Sequence, residues 1–245
     1  MNITKPSRIY LLLIVLLAII SLSACLFRPP VSKFDSDALF TSLENKIGKS
    51  RQVILVTTYT IFFFSEQKVY ALEKNENQWK SAFEPFNAMI GKNGFALPGE
   101  KREGDGKTPS GVYYLKTTFG YDESIKTKMP YRQALADDLW IDDINAGDYN
   151  RWVKKSETQA KSYEKMKRDD DLYKYGIVIE YNTNPVVKGY GSAIFFHVWG
   201  GDDITTEGCV AVSEENIIKI LEWLDPKAEP FIIMGIEDTT WRLPQ

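Results

Sequence analysis

The stretch Phe196-His197-Val198-Trp199-Gly200-Gly201-Asp202-Asp203-Ile204-Thr205-Thr206-Glu207-Gly208-Cys209-Val210-Ala211-Val212 organises the reading of this chain. It begins inside a β-like run over 193–199, turns through the cluster Gly200 to Asp203, and can return over 204–212 as a second extended segment. A bent loop or hairpin of this kind brings His197 near Cys209, with the register left open by the residues alone. Immediately afterwards the period changes. Residues 213–224 predict a helix: Ser213 is an N-cap, Glu214 and Glu215 suit the positive end of the helix dipole, and Ile217, Ile218, Leu221 and Leu224 share a face. Residues 230–234 predict a last strand.

Working outward, 176–181 and 111–118 read as strands, 68–73 alternates, and a β-rich run from Gln52 through Val53-Ile54-Leu55-Val56 reaches Phe64. Residues 34–47 carry Leu39, Phe40, Leu43 and Ile47 at helical spacing and stop at Gly48, which predicts an amphipathic helix. Between 149 and 173 the chain turns charged and lysine-rich. That predicts a solvated helix inserted in the β domain, with a lid over a cleft as the alternative. The run Asp169-Asp170-Asp171 reads as a solvated end of this segment rather than a metal site, because adjacent acidic side chains point different ways. Gly106-Lys107-Thr108 is no phosphate-binding loop: the glycine such a loop requires five residues earlier is Lys101, and Pro109 follows the threonine. Residues 104–111 are a turn-rich strand entry. The fold class expected is mainly β (α+β), one domain over 51–236 with a tail over 237–245.

Composition narrows the chemistry. The 245 residues are 44% apolar and 26% charged, a globular balance with enough chain for an ordinary core. The formal net charge of −3 argues against a broad nucleic-acid-binding face. The single histidine excludes a multi-histidine metal centre, and two cysteines cannot build a four-cysteine or two-cysteine, two-histidine zinc site.

The N-terminus reads as an export signal. Lys5 and Arg8 precede an uninterrupted apolar run over 11–20, which is short for a spanning helix of roughly 20 residues. Leu22-Ser23-Ala24-Cys25 then resembles the lipobox of bacterial lipoproteins. The resemblance implies cleavage after residue 24, lipidation of Cys25, a tether over 25–50 and an exported, membrane-anchored chain. Leu26 in place of aspartate resembles an outer-membrane sorting signal if the host is Gram-negative. The mature chain would carry 28 basic and 33 acidic residues, a net of −5. Cys209 would be its one free thiol, in a compartment where a free thiol marks either reactivity or a pairing liability.

A thiol with pKa near 8.5 is only a few per cent ionised at neutral pH. A neighbouring imidazole can take its proton. Gly208, lacking a Cβ, lets the backbone N–H groups around Cys209 approach a substrate carbonyl as an oxyanion hole. The segment can therefore supply nucleophile, base and oxyanion donors. Singly, a cysteine is more often a small buried hydrophobe and a histidine a satisfied polar group; their pairing beside Gly-Cys favours the catalytic reading.

The segment resembles the signature of L,D-transpeptidases of the YkuD type, a histidine followed after a loop by Ser/Thr-x-Gly-Cys and an aliphatic residue. Thr206-Glu207-Gly208-Cys209-Val210 matches it. Upstream, Thr108-Pro109-Ser110-Gly111-Val112-Tyr113 resembles that family's Thr-Pro-x-Gly-x-aromatic strand entry. The resemblance implies a mainly-β YkuD-like sandwich or barrel with a C-terminal helix. It implies Cys209 as nucleophile, His197 as general base and acid, backbone donors at Gly208, Thr206 lining the site, and substrate contacts at Trp199 and Gly200. The substrate would be peptidoglycan stem peptides, with no metal or organic cofactor. Two departures stand out: Ala211 occupies a position where many members have arginine, and the histidine-to-cysteine loop is short and acidic. Three activities are compatible with these residues: transpeptidation, hydrolysis on the same fold (L,D-carboxypeptidase action or release of peptidoglycan-attached protein), and peptidoglycan binding without catalysis. Papain-like and NlpC-type peptidases place cysteine before histidine, and the only late arginine for a sortase-like site is Arg242, past the last strand.

Overall fold

In the computed structural model the described residues are 41, 46–61, 64–76 and 78–236. They belong to one unit, 37–245, while a separate unit over 1–36 lies outside them. The export signal, Cys25 and the tail over 237–245 also lie outside. Of the helix expected over 34–47, residues 41, 46 and 47 are described and are helical.

The β-rich run from Gln52 divides into a hairpin, β1 (Gln52–Ile61) and β2 (Phe64–Asn75), paired antiparallel from Gln52↔Glu73 to Ile61↔Phe64. The chain continues through β3 (Gln78–Ser81), β4 (Phe86–Ala88) and the short parallel pair β5 (Phe95–Ala96) and β6 (Thr108–Pro109). Then follow β7 (Gly111–Gly120), β8 (Tyr131–Gln133), β9 (Asp138–Ile141), β10 (Trp152–Lys154) and β11 (Tyr163–Lys165). Last come β12 (Tyr175–Ile179), β13 (Phe195–Val198), β14 (Val210–Val212), helix α1 (Glu214–Trp223) and β15 (Phe231–Ile236). The expected Ser213 cap is present, its hydroxyl accepting from the Asn216 N–H.

Among the described residues one ten-stranded curled sheet runs β14-β13-β12-β7-β15-β1-β2-β3, with β4 beside β2 and β8 beside β7. Its alternation sorts side chains between two cores. Ile54, Val56, Ile232 and Met234 face α1 together with Phe196, Val198, Val210 and Val212, and meet Ile217, Ile220 and Leu221 of the helix. The neighbours Phe195 and Cys209 face the other way, into a second cluster with Phe119, Trp140, Met166, Tyr173 and Val178. Phe195 is its hub, edge-on to Phe119, Trp140 and Tyr173 at ring separations of 5.3, 5.0 and 5.5 Å. Such geometry adds about 0.5–1.5 kcal/mol per pair beyond the area buried.

The charged segment over 149–173 is not a helix. It supplies β10 and β11, which flank β9 in a three-stranded antiparallel sheet, with one 3-10 turn at Lys155–Glu157. Nor is it only a solvated face: Tyr149, Met166 and Tyr173 are buried, and the second cluster depends on the last two. Asp170 takes a two-pronged hydrogen bond from Arg168 through Nε and Nη2, both at 2.9 Å. Among the described residues no cluster of His, Cys, Asp or Glu is arranged to hold a metal ion.

Met166 is fully buried. Met166→Ala is expected to lower unfolding stability by about 2–5 kcal/mol in urea titration. A change within about 0.5 kcal/mol, as at ordinary surface sites, would contradict the placement of this segment.

Candidate active site

β13 and β14 lie side by side in parallel, with Phe196↔Val210, His197↔Ala211 and Val198↔Val212 in register. Of the bent loop or hairpin expected from the turn cluster, the hairpin is therefore excluded, and a loop joins the two parallel strands. Alternation puts Cys209 and Ala211 on the same face as Phe195 and His197. The outer edge of β14 is covered by the chain after β4: Met89 N–H donates to the Ala211 carbonyl at 2.7 Å, and Ala211 N–H donates back to Met89 at 2.8 Å. Two residues on, Thr206 N–H reaches the Ile90 carbonyl and Lys92 N–H reaches the Thr206 carbonyl. A sheet edge that would otherwise expose unpaired backbone is thereby satisfied.

The turn before Cys209 is held by hydroxyls. Gly208 N–H donates to Thr206 Oγ1 at 3.1 Å, and that hydroxyl donates to the Cys209 carbonyl at 2.7 Å. Thr108, from the Thr-Pro strand entry, donates to the same carbonyl at 3.3 Å and accepts from Gly91 N–H at 2.9 Å. Gly208 has φ +150°, and a Cβ there would stand 2.9 Å from the Lys107 carbonyl oxygen. Both the backbone angle and the close approach require glycine. The two motifs noticed separately in the sequence thus pack against each other.

Cys209 and His197 are both nearly inaccessible, 8% and 5% exposed. Cys209 Sγ donates to the Ala193 carbonyl at 3.3 Å and accepts from Phe195 N–H at 3.3 Å. His197 Nδ1 lies 2.7 Å from the Val198 carbonyl. A carbonyl only accepts, so the proton sits on Nδ1 and Nε2 is the basic nitrogen. Tyr173 packs edge-on against the imidazole, with ring centroids 5.1 Å apart. The two groups therefore spend their hydrogen bonds on backbone rather than on each other. Burial lowers the imidazole pKa to about 4, against an upward pull from the Val198 carbonyl. Burial likewise pushes the thiol up to about 12, against the stabilising Phe195 N–H. At neutral pH both are uncharged, in contrast to a held thiolate.

One cavity of about 390 Å³ opens over these residues. Cys209, His197, Thr206, Gly208, Ala211 and Gly200 line it; Trp199 does not, and its N–H pairs with the Val212 carbonyl. Lys101, Glu103, Asp142, Glu164 and Arg168 also form part of its wall. Sequence reading missed this wall because its residues come from separate segments, each of which alone resembles solvated surface. Burial raises the carboxyl pKa values of Asp142 and Glu164. Glu103 accepts from Tyr149 OH at 2.5 Å and from Ser192 Oγ at 2.7 Å through one oxygen.

A comparison with curated proteins found none that matches the chain. The L,D-transpeptidase catalytic domain family, YkuD, matches residues 58–233, a span that includes His197, Cys209 and the Thr-Pro entry. With well over half of its residues inside that match, and with the mainly-β curled sheet described above, this chain belongs to the YkuD family of L,D-transpeptidase catalytic domains.

Proposed function

We propose that this protein is a cysteine-dependent L,D-transpeptidase acting on peptidoglycan stem peptides through a thioester at Cys209. One observation carries the reading: the only histidine and the only described cysteine face the same cavity from adjacent strands, inside a catalytic domain of this family. In the acylation step Cys209 Sγ attacks the carbonyl carbon of the third stem residue. The thiol proton passes by way of His197 Nε2 to the departing amine, the C–N bond breaks, and D-alanine leaves. In the second step an acceptor amine attacks the thioester, loses its proton through His197, and the thiol re-forms. Water in the acceptor's place gives the hydrolytic reading.

The pKa values shape this scheme. A thiol near 12 beside an imidazole near 4 does not hold an ion pair, so the thiolate forms only as attack proceeds. Substrate entering the cavity supplies polar groups that favour charge separation. The Gly208 N–H, bound to Thr206 Oγ1, must turn from it to serve an oxyanion. Thr206 is accordingly a positioning residue for the Gly208-Cys209 turn. Gly200, which lines the cavity, remains a proposed substrate contact; Trp199, which lies outside the lining, does not. Export and anchoring through a lipidated Cys25 place the domain in the cell envelope, facing its substrate.

Three outcomes are expected. Incubated with a disaccharide tetrapeptide, the domain should gain an acyl adduct at Cys209 by intact mass spectrometry and release D-alanine. Cys209→Ala should do neither; retained turnover would remove the nucleophile assignment, and cross-linked dimer or free tripeptide among the products separates transfer from hydrolysis. Second, His197 bears on acid stability. Its folded pKa of about 4 lies below the value near 6.5 of the unfolded chain, so its stabilisation is full above pH 6.5 and is lost as pH falls towards 4. Relative to His197→Gln, the wild type should lose stability over that window by up to about 1.4 kcal/mol per pH unit; parallel curves in urea titrations would refute it. Third, Cys25→Ala should move the protein from the membrane fraction to the soluble fraction, and unchanged partitioning would count against lipidation.

A further inference from the structure

Ala211 puts a methyl group on the cavity floor beside His197, where no charge meets an anionic substrate group. The cavity wall carries two cations. Lys101 is committed: its side chain is 5% exposed, and its Nζ contacts Asp105 at 2.5 Å and the Arg102 carbonyl at 2.8 Å. Arg168 is placed differently. Its Nε and Nη2 are fixed by Asp170, so one edge of the guanidinium is anchored and its plane is set. It stacks over the Tyr173 ring at 5.1 Å, and Tyr173 in turn abuts His197. The remaining nitrogen, Nη1, has a single long contact at 3.3 Å, to Glu164. The side chain is 33% exposed, enough to meet a ligand in the cavity.

We propose that Arg168, delivered by the inserted segment, is the group that binds the carboxylate of the acyl donor beside Cys209. An anchored, planar guanidinium suits a carboxylate, and here its Nη1 makes only one long protein contact, with an aromatic ring at the guanidinium face. This inference rests on the proposed peptide substrate.

The test uses binding, so that it does not depend on turnover. Cys209→Ala protein is titrated calorimetrically with a stem tetrapeptide ending in free D-alanine and with the same peptide ending in a carboxamide. The acid is expected to bind more tightly by about tenfold to hundredfold, the worth of a charged hydrogen bond. Adding Arg168→Gln, which keeps a donor for Asp170 but no charge, should bring that ratio close to one. Arg168→Lys should retain part of it, and Ala211→Arg placed in the Arg168→Gln background should restore it. If Arg168→Gln keeps the full preference for the acid, the assignment is wrong while the peptide-substrate reading stands. If neither peptide binds any of these proteins, the substrate reading itself fails and this assignment with it.

Discussion

Two threonine hydroxyls converge on the carbonyl oxygen of Cys209, one from Thr206 at 2.7 Å and one from Thr108 at 3.3 Å. Thr206 lies three residues before the cysteine, whereas Thr108 arrives from 101 residues away. The carbonyl of the residue that carries the thiol is thereby held by two hydroxyls from separate parts of the chain. Everything else at the site follows from that constraint. Gly208 must be glycine because the chain that delivers Thr108 also brings the Lys107 carbonyl against it. Gly91 has no side chain for a related reason: a Cβ there would stand 2.4 Å from the Gly106 carbonyl oxygen. The parallel pairing of β13 and β14 then fixes His197 beside Ala211, one strand over and two residues on from the thiol.

The sequence was legible where physics acts locally. The β-like runs over 193–199 and 204–212, and the change to helical spacing at Ser213, are visible in the residues and appear in part as β13, β14 and α1. The division of Phe195, His197 and Cys209 from Phe196, Val198 and Val210 follows from alternation alone. What was not legible depends on partners far along the chain. β14 lies between β13 and Met89, which pairs with its other edge, and nothing near Cys209 signals that partner. The inserted segment misled for a different reason. Its strands are three residues each, too short for alternation to register, and its lysines outnumber the few residues that are buried. Met166 and Tyr173 do the packing, and neither stands within an apolar run.

That packing sets the chemistry. The second core encloses Cys209 among Phe119, Trp140, Tyr173 and Phe195, and so the environment that orients the thiol also suppresses its ionisation. The same enclosure lowers the affinity of His197 for a proton. A neutral pair guards a buried thiol, because oxidation and exchange both run through the thiolate. On the proposed acyl-transfer function, activation then has to come from the substrate. A peptide that fits the cavity would bring its own dipoles to the thiol and let backbone donors engage the developing oxyanion, which would favour reaction over idle reactivity.

The segment over 149–173 therefore has two parts to play. It contributes Met166 and Tyr173 to the core that buries Cys209, and Glu164 and Arg168 to the cavity lining. Stability and, on the proposed assignment, recognition are joined in one element, because the Arg168 guanidinium is held by Asp170 and lies over Tyr173, itself a member of the core and a neighbour of His197. A change in that element would move the packing and the charge of the cavity lining together. If Arg168 binds the donor carboxylate as proposed, such a change would also alter which acyl donors are accepted without touching His197, Cys209 or the strands beside them.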